Sequence, residues 1–80
     1  MSDDVTERVR KVIAGILKVP LERVVPSAQF VRDLGMESIK SIELIAALEE
    51  EFDIEIDEDN VADVTTVEKS LAYVKKALGS

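Results

Sequence analysis

The side chains that could do chemistry in this 80-residue chain are few, and two common kinds are missing: there is no histidine and no cysteine. Ser–His and Cys–His nucleophilic pairs are therefore impossible, as are the usual zinc ligand sets and any disulfide. Carboxylates, lysines, hydroxyls and one tyrosine remain. Among the hydroxyls, Ser38 has the most suggestive setting. It follows the run Asp33-Leu34-Gly35-Met36-Glu37 and opens an apolar-periodic segment. Gly35 permits a turn with positive φ, and a serine at a helix start is ordinarily an N-cap. The same setting would put the hydroxyl on a loop edge, accessible to another enzyme. A phosphate attached there would sit at the positive end of a helix, which favours it.

Carboxylates are the other candidate chemistry. The net charge is -7, and residues 37–63 hold eleven acidic side chains against a single base, Lys40. Such a field repels nucleic acid and anionic lipid surfaces and attracts basic protein surfaces; on charge alone, a plain solvated acidic face is the favoured account. Glu43 with Glu50, or Glu51 with Glu55, supplies the carboxylate pair of a hydrolase, but solvated pairs on one helix are ordinary surface. Nothing indicates a concave substrate site. Set as a calcium loop, Asp53, Glu55, Asp57 and Asp59 fall at alternate positions, but the pattern requires glycine sixth and glutamate twelfth. The chain offers Glu58 and Val64 there. The expectation is no metal site and no catalysis by this chain alone.

The elements that must position Ser38 follow from periodicity. Val5, Val9, Val12, Ile13, Ile16 and Leu17 recur at helical spacing, with Asp4 and Glu7 placed as a capping box. Val19-Pro20 ends that helix, because proline disfavours helical geometry in the residue before it. Residues 19–37 form a long connection whose Leu21, Val24, Val25, Phe30, Val31 and Leu34 pack onto the helices, with a short helical turn near Leu21–Val24. Ser38 to Phe52 reads as the second helix, with Ile42, Leu44, Ile45, Leu48 and Phe52 on a buried face. Lys40, Glu43, Ala47, Glu50 and Glu51 take the opposite arc, and Ile39 and Ala46 fall on it or at its edge. Ile54-Glu55-Ile56 is an extended connector whose isoleucines reach the core. Asp57 caps a short third helix across Glu58–Ala62. Thr65-Thr66-Val67-Glu68 forms a capping box before a last helix with Val67, Leu71, Val74 and Leu78 on one stripe. Lys75, Lys76 and Gly79 suit its C-terminus. The result is an all-α, four-helix bundle, three longer helices and a short third one with a long first loop, occupying 1–80 as a single domain.

With those elements in place, the sequence resembles the acyl carrier proteins. The resemblance rests on Phe30-Val31-Arg32-Asp33-Leu34-Gly35-Met36-Glu37-Ser38-Ile39, then Glu43-Leu44, then Ala47 through Ile56, with Thr65-Thr66-Val67 matching the start of the family's last helix. It implies that Ser38 accepts 4'-phosphopantetheine from coenzyme A through a separate phosphopantetheinyl transferase. The arm's thiol would then hold acyl groups as thioesters, importing the thiol that a cysteine-free chain lacks. It also implies that an acidic second helix meets basic patches on partners: the transferase, an acyl-ACP synthetase, a ketosynthase and other acyl-processing enzymes. The matching partner-binding positions are Glu37, Ile39, Lys40, Glu43, Ala46, Glu49 and Glu50.

Two departures from the family stand beside the attachment serine. The usual Asp-Ser-Leu motif reads Glu37-Ser38-Ile39, and Lys40 stands where many members have an acid. They leave open a specialised carrier for a dedicated acyl or polyketide pathway beside a carrier of fatty-acid synthesis. An aminoacyl or peptidyl carrier is disfavoured, since those relatives often carry a Gly-Gly-His-Ser type of motif. An unmodified acidic interaction module, with Ser38 merely a cap, is the alternative from another class. The acidic N-terminus lacks a signal-peptide pattern and no apolar run approaches the ~20 residues of a membrane span. A cytoplasmic monomer without membrane insertion or nucleic-acid binding is expected.

Overall fold

The computed structural model describes residues 4–56 and 64–79. Among these described residues, three α-helices carry the fold: α1 (Asp4–Leu17), α2 (Ser38–Phe52) and α3 (Val67–Ala77), with a 3-10 turn at Leu21–Arg23 in the first connection. The short helix expected across Glu58–Ala62 lies outside the described residues. Among the described residues there is no β-strand; an isolated bridge joins Gln29 to Thr66.

Helix α1 is the element against which both α2 and α3 pack. It buries Val9 and Ile13 completely. Both α1 and α2 end by the same device, and without glycine. Lys18 (φ 55°) and Asp53 (φ 52°) adopt the left-handed conformation. The next residues then turn back, with Val19 N–H donating to Ala14 O at 3.1 Å and Ile54 N–H to Glu49 O at 3.1 Å. Each non-glycine residue in this conformation costs ~1–2 kcal/mol, offset by satisfying carbonyls that the helix end would otherwise orphan.

The helix faces differ from the periodicity reading at three places. Leu44, Leu48 and Phe52 are buried as expected, but Ile42 is 70% exposed. At 3.6 residues per turn, Ile42 points about 120° away from the middle of the Leu44–Leu48–Phe52 arc, outside the strip that α1 and the loop cover. Leu78 follows the last helical residue and is 40% exposed, so the α3 stripe ends at Val74. The α3 cap also stands one residue later than expected. Thr66 is the N-cap and its Oγ1 accepts from Lys69 N–H at 3.2 Å. The residue at N3 is therefore Lys69, which cannot complete a capping box with Glu68. The orphan amides are served by loop carbonyls instead: Val67 N–H donates to Ala28 O at 3.0 Å and Glu68 N–H to Pro26 O at 2.9 Å.

Those bonds explain how a long first connection is ordered. Arg10 reaches from α1 to the 3-10 turn, donating to Val24 O (2.8 Å) and Leu21 O (3.0 Å). Arg23 donates to Asp33 O at 3.0 Å, and Asp33 Oδ2 accepts from Gln29 N–H at 2.7 Å. Phe30 is buried at the centre, its N–H donating to Thr65 O and its carbonyl accepting from Met36 N–H. The backbone is thereby pinned from the start of α3 through Phe30 to Met36, two residues before Ser38. The isoleucines of the 54–56 connector are part-buried against the core, as their alternation implies.

Candidate functional site

Ser38 stands immediately beyond this pinned segment. Gly35 makes the turn at φ 66°, where an added Cβ would meet no atom but would be conformationally strained. Glu37 is then extended (φ -90°, ψ 160°) and takes the N-cap position of α2, its carbonyl accepting from Lys40 N–H and Ser41 N–H. Glu37 makes no side-chain cap bond. Ser38 is thus the first helical residue and not the cap, so the ordinary structural explanation of a serine at a helix start does not apply to it. It is exposed, and its Oγ has no hydrogen-bond partner among the described residues.

Other serines differ in this respect. Ser41 Oγ donates to Ser38 O at 2.6 Å. Ser70 is buried and its Oγ donates to Val67 O at 2.7 Å. Both hydroxyls are engaged by their own helices, a local bond that serine commonly makes. Ser27 is exposed in the loop, but it precedes no helix. Ser38 alone among these four combines exposure, an unengaged hydroxyl and a helix N-terminus. The amides of Ser38 and Ile39 lie ahead of the first intrahelical bonds and have no acceptor among the described residues. A phosphodiester on Ser38 Oγ suits such a terminus.

An apolar cavity of about 40 Å³ lies beside the site, lined from the loop by Met36, from α2 by Ser41, Leu44 and Ile45, and from α3 by Tyr73 and Val74. That volume holds two or three atom-sized groups, by comparison with the ~10–15 Å³ that one water needs.

The acidic helix is less uniform than its sequence implies. Glu37 and Glu50 are exposed, as are Ile39 and Ala46. Glu43 pairs with Lys40 at 3.1 Å, one turn along the helix. Glu49 is part-buried, and its Oε2 accepts from Ile56 N–H at 2.9 Å, so this carboxylate anchors the connector after α2. The like charges of Glu49 and Asp53 are tolerated because Glu49 is used this way. Glu51 is held by Arg8 through Nε to Oε2 at 2.8 Å and Nη2 to its carbonyl at 2.7 Å, while the Arg8 guanidinium lies 4.5 Å from the centre of the Phe52 ring. Periodicity does not reveal these cross-helix roles, since Arg8 and Glu51 are 43 residues apart. Ile42 on α2 is a surface residue that sequence reasoning placed in the core, and so are Val31 and Val25 of the first connection, which stand in solvent while Val24, Phe30 and Leu34 fill the core beside them.

No helix among the described residues is long and apolar enough to cross a membrane. Comparison with known families finds that the phosphopantetheine attachment site model matches residues 7–74, which takes in all of the geometry just described except the first turn of α1 and the last of α3.

Proposed function

Since the chain belongs to the phosphopantetheine attachment site family, in which the domain bears covalently bound 4'-phosphopantetheine, we propose that Ser38 Oγ is the attachment atom and that the cargo is an acyl group. The observation that carries the first part is the exposed Ser38 hydroxyl, unengaged among the described residues at an α2 terminus whose leading amides find no acceptor among them. The residues present fit the group: Ser38 would hold the phosphodiester, and the Ser38 and Ile39 amides would face its charge. Once bound, the arm supplies the thiol chemistry that a chain without cysteine lacks.

This chain's own residues do the positioning. Gly35 turns the backbone, the Phe30–Met36 bond fixes the approach to α2, and the exposed start of α2 presents the hydroxyl to a transferase. A carrier domain interacts with such a transferase and with acyl-processing enzymes. The acyl assignment draws on the apolar cavity beside the site, whose lining suits alkyl carbon better than a charged amine. Fatty-acid or polyketide synthesis is the setting, with Lys40 beside the attachment serine favouring a dedicated pathway. A peptidyl carrier is the second reading, and no residue of the cavity offers a carboxylate to its amine.

Intact-mass analysis of protein isolated from its own host tests the cargo. The expected result is the chain plus one phosphopantetheine plus an acyl group, with the acyl mass alone removed by hydroxylamine. An aminoacyl mass in its place would overturn the acyl assignment.

A further inference from the structure

Ser70, in α3, is the only buried polar side chain among the described residues, at 2% exposure. Its Oγ donates to Val67 O at 2.7 Å, so the one hydroxyl proton is engaged by its own helix. The oxygen keeps lone pairs that can accept. Alanine would suit the helix better, since serine has the lower propensity and its bond to the preceding turn does not stabilise the helix. Packing gives no reason for an oxygen there either, because Val67, Leu71 and Val74 around it on the same helix are apolar and buried. What Ser70 does line is the cavity of about 40 Å³ beside Ser38, together with Phe30, Leu44 and Leu48. Ser41 and Tyr73 are the other oxygen-bearing side chains of that lining, and both residues are only part-buried. Ser70 is the enclosed one.

A plain hydrocarbon tail in the cavity would shield the Ser70 oxygen from water without offering it a proton, which is unfavourable. A tail with a hydroxyl would supply that proton. Size narrows the class further. The cavity has room for about three atom-sized groups. That matches one carbon, the hydroxyl it bears and a terminal methyl, with the thioester carbonyl and the carbon next to it left outside. We propose that Ser70 is a specificity-determining residue of this cavity, and that the cargo it selects is a short 3-hydroxyacyl group whose hydroxyl donates to Ser70 Oγ. The inference deepens the acyl-carrier reading and rests on it.

The test loads wild type, Ser70→Ala and Ser41→Ala with a butyryl or a 3-hydroxybutyryl arm, from the corresponding acyl-coenzyme A and a phosphopantetheinyl transferase. Cleavage of the thioester by hydroxylamine is followed by intact mass. Each rate is divided by that of the same acyl-coenzyme A, which removes the intrinsic reactivity of the thioester. On wild type the 3-hydroxybutyryl arm is expected to be cleaved about five-fold more slowly than the butyryl arm, the size of one net hydrogen bond. In Ser70→Ala the two arms should differ by less than about two-fold, since the acceptor is gone. Ser41→Ala should keep the wild-type preference. A change in packing alone would move both rates of Ser70→Ala together and leave their ratio as in wild type. Equal normalised rates on wild type, a preference that survives in Ser70→Ala, or one lost in Ser41→Ala would overturn this inference alone, on chains whose mass shows one acyl arm. Failure of wild type to take either arm, or undiminished loading of Ser38→Ala, would overturn the attachment assignment and this inference with it.

Discussion

Leu48 and Ile42 are aliphatic residues of α2 that periodicity places on the same face, yet the structure buries Leu48 to 4% exposure and leaves Ile42 at 70%. Truncating each to alanine should therefore give sharply different results. Leu48 borders the cavity of about 40 Å³ that neighbouring side chains have not closed. Space opened by Leu48→Ala would join it, so little relaxation is available to reduce the cost. That places the loss in the middle to upper part of the ~2–5 kcal/mol range for a buried leucine, or about 3–4 kcal/mol. A chain of 80 residues has roughly 4–12 kcal/mol in total, at 0.05–0.15 kcal/mol per residue. At about 4–8 °C per kcal/mol for a domain of this size, the melting temperature should fall by at least about 12 °C. Ile42→Ala removes no buried contact and should stay within about 0.5 kcal/mol of wild type, helped slightly by alanine's higher helix propensity. Thermal unfolding followed by far-UV circular dichroism on the two variants is the assay. Equal shifts for both would refute the facing of α2 on which the site description depends.

Three further outcomes follow from single positions. Gly15 lies inside α1, and a Cβ there would meet no atom within 4 Å, so Gly15→Ala should stabilise by about 0.5–1 kcal/mol and raise the melting temperature by several degrees. Gly35→Ala should do the opposite, costing about 1–2 kcal/mol through its φ of 66° although no contact is lost; urea denaturation would show it as a lower midpoint with an unchanged slope. Glu49→Ala should cost about 1–2 kcal/mol by leaving the Ile56 amide without its acceptor, and hydrogen exchange should show faster exchange at that amide, with protection largely kept in Glu49→Gln.

Helix α2 was legible in outline because its signals agree: a loop-edge serine opens it, and a leucine–phenylalanine stripe runs to its last residue. The 3-10 turn at Leu21–Arg23 and the part-buried Ile54 and Ile56 also follow from local pattern. What local pattern misses is set by distant partners. A seven-residue window cannot tell whether Ile42 will be covered, because that depends on where α1 and the loop lie across α2. It places the α3 cap at Thr65 because Thr-x-x-Glu is a good capping box. The tertiary alternative uses Pro26 and Ala28 carbonyls from the first loop and shifts the start by one residue. Glu49 reads as a surface acid until the chain turns at Asp53 and brings the Ile56 amide back to it. The Ser38 region and the start of α2 at Ser38 are recognisable in the sequence; that Glu37 takes the cap position and leaves the Ser38 hydroxyl unengaged among the described residues is set by the fold of the Gly35–Glu37 turn.

The central claim is that Ser38 and no neighbouring serine receives phosphopantetheine, and intact-mass analysis of Ser38→Ala and Ser41→Ala after incubation with coenzyme A and a phosphopantetheinyl transferase tests it most directly. Both variants should keep the helical circular dichroism spectrum, since Ser38 makes no side-chain bond among the described residues and Ser41 makes one local bond to Ser38 O. Ser41→Ala is predicted to gain the mass of one phosphopantetheine and Ser38→Ala to gain none. A full mass shift on folded Ser38→Ala would contradict the account.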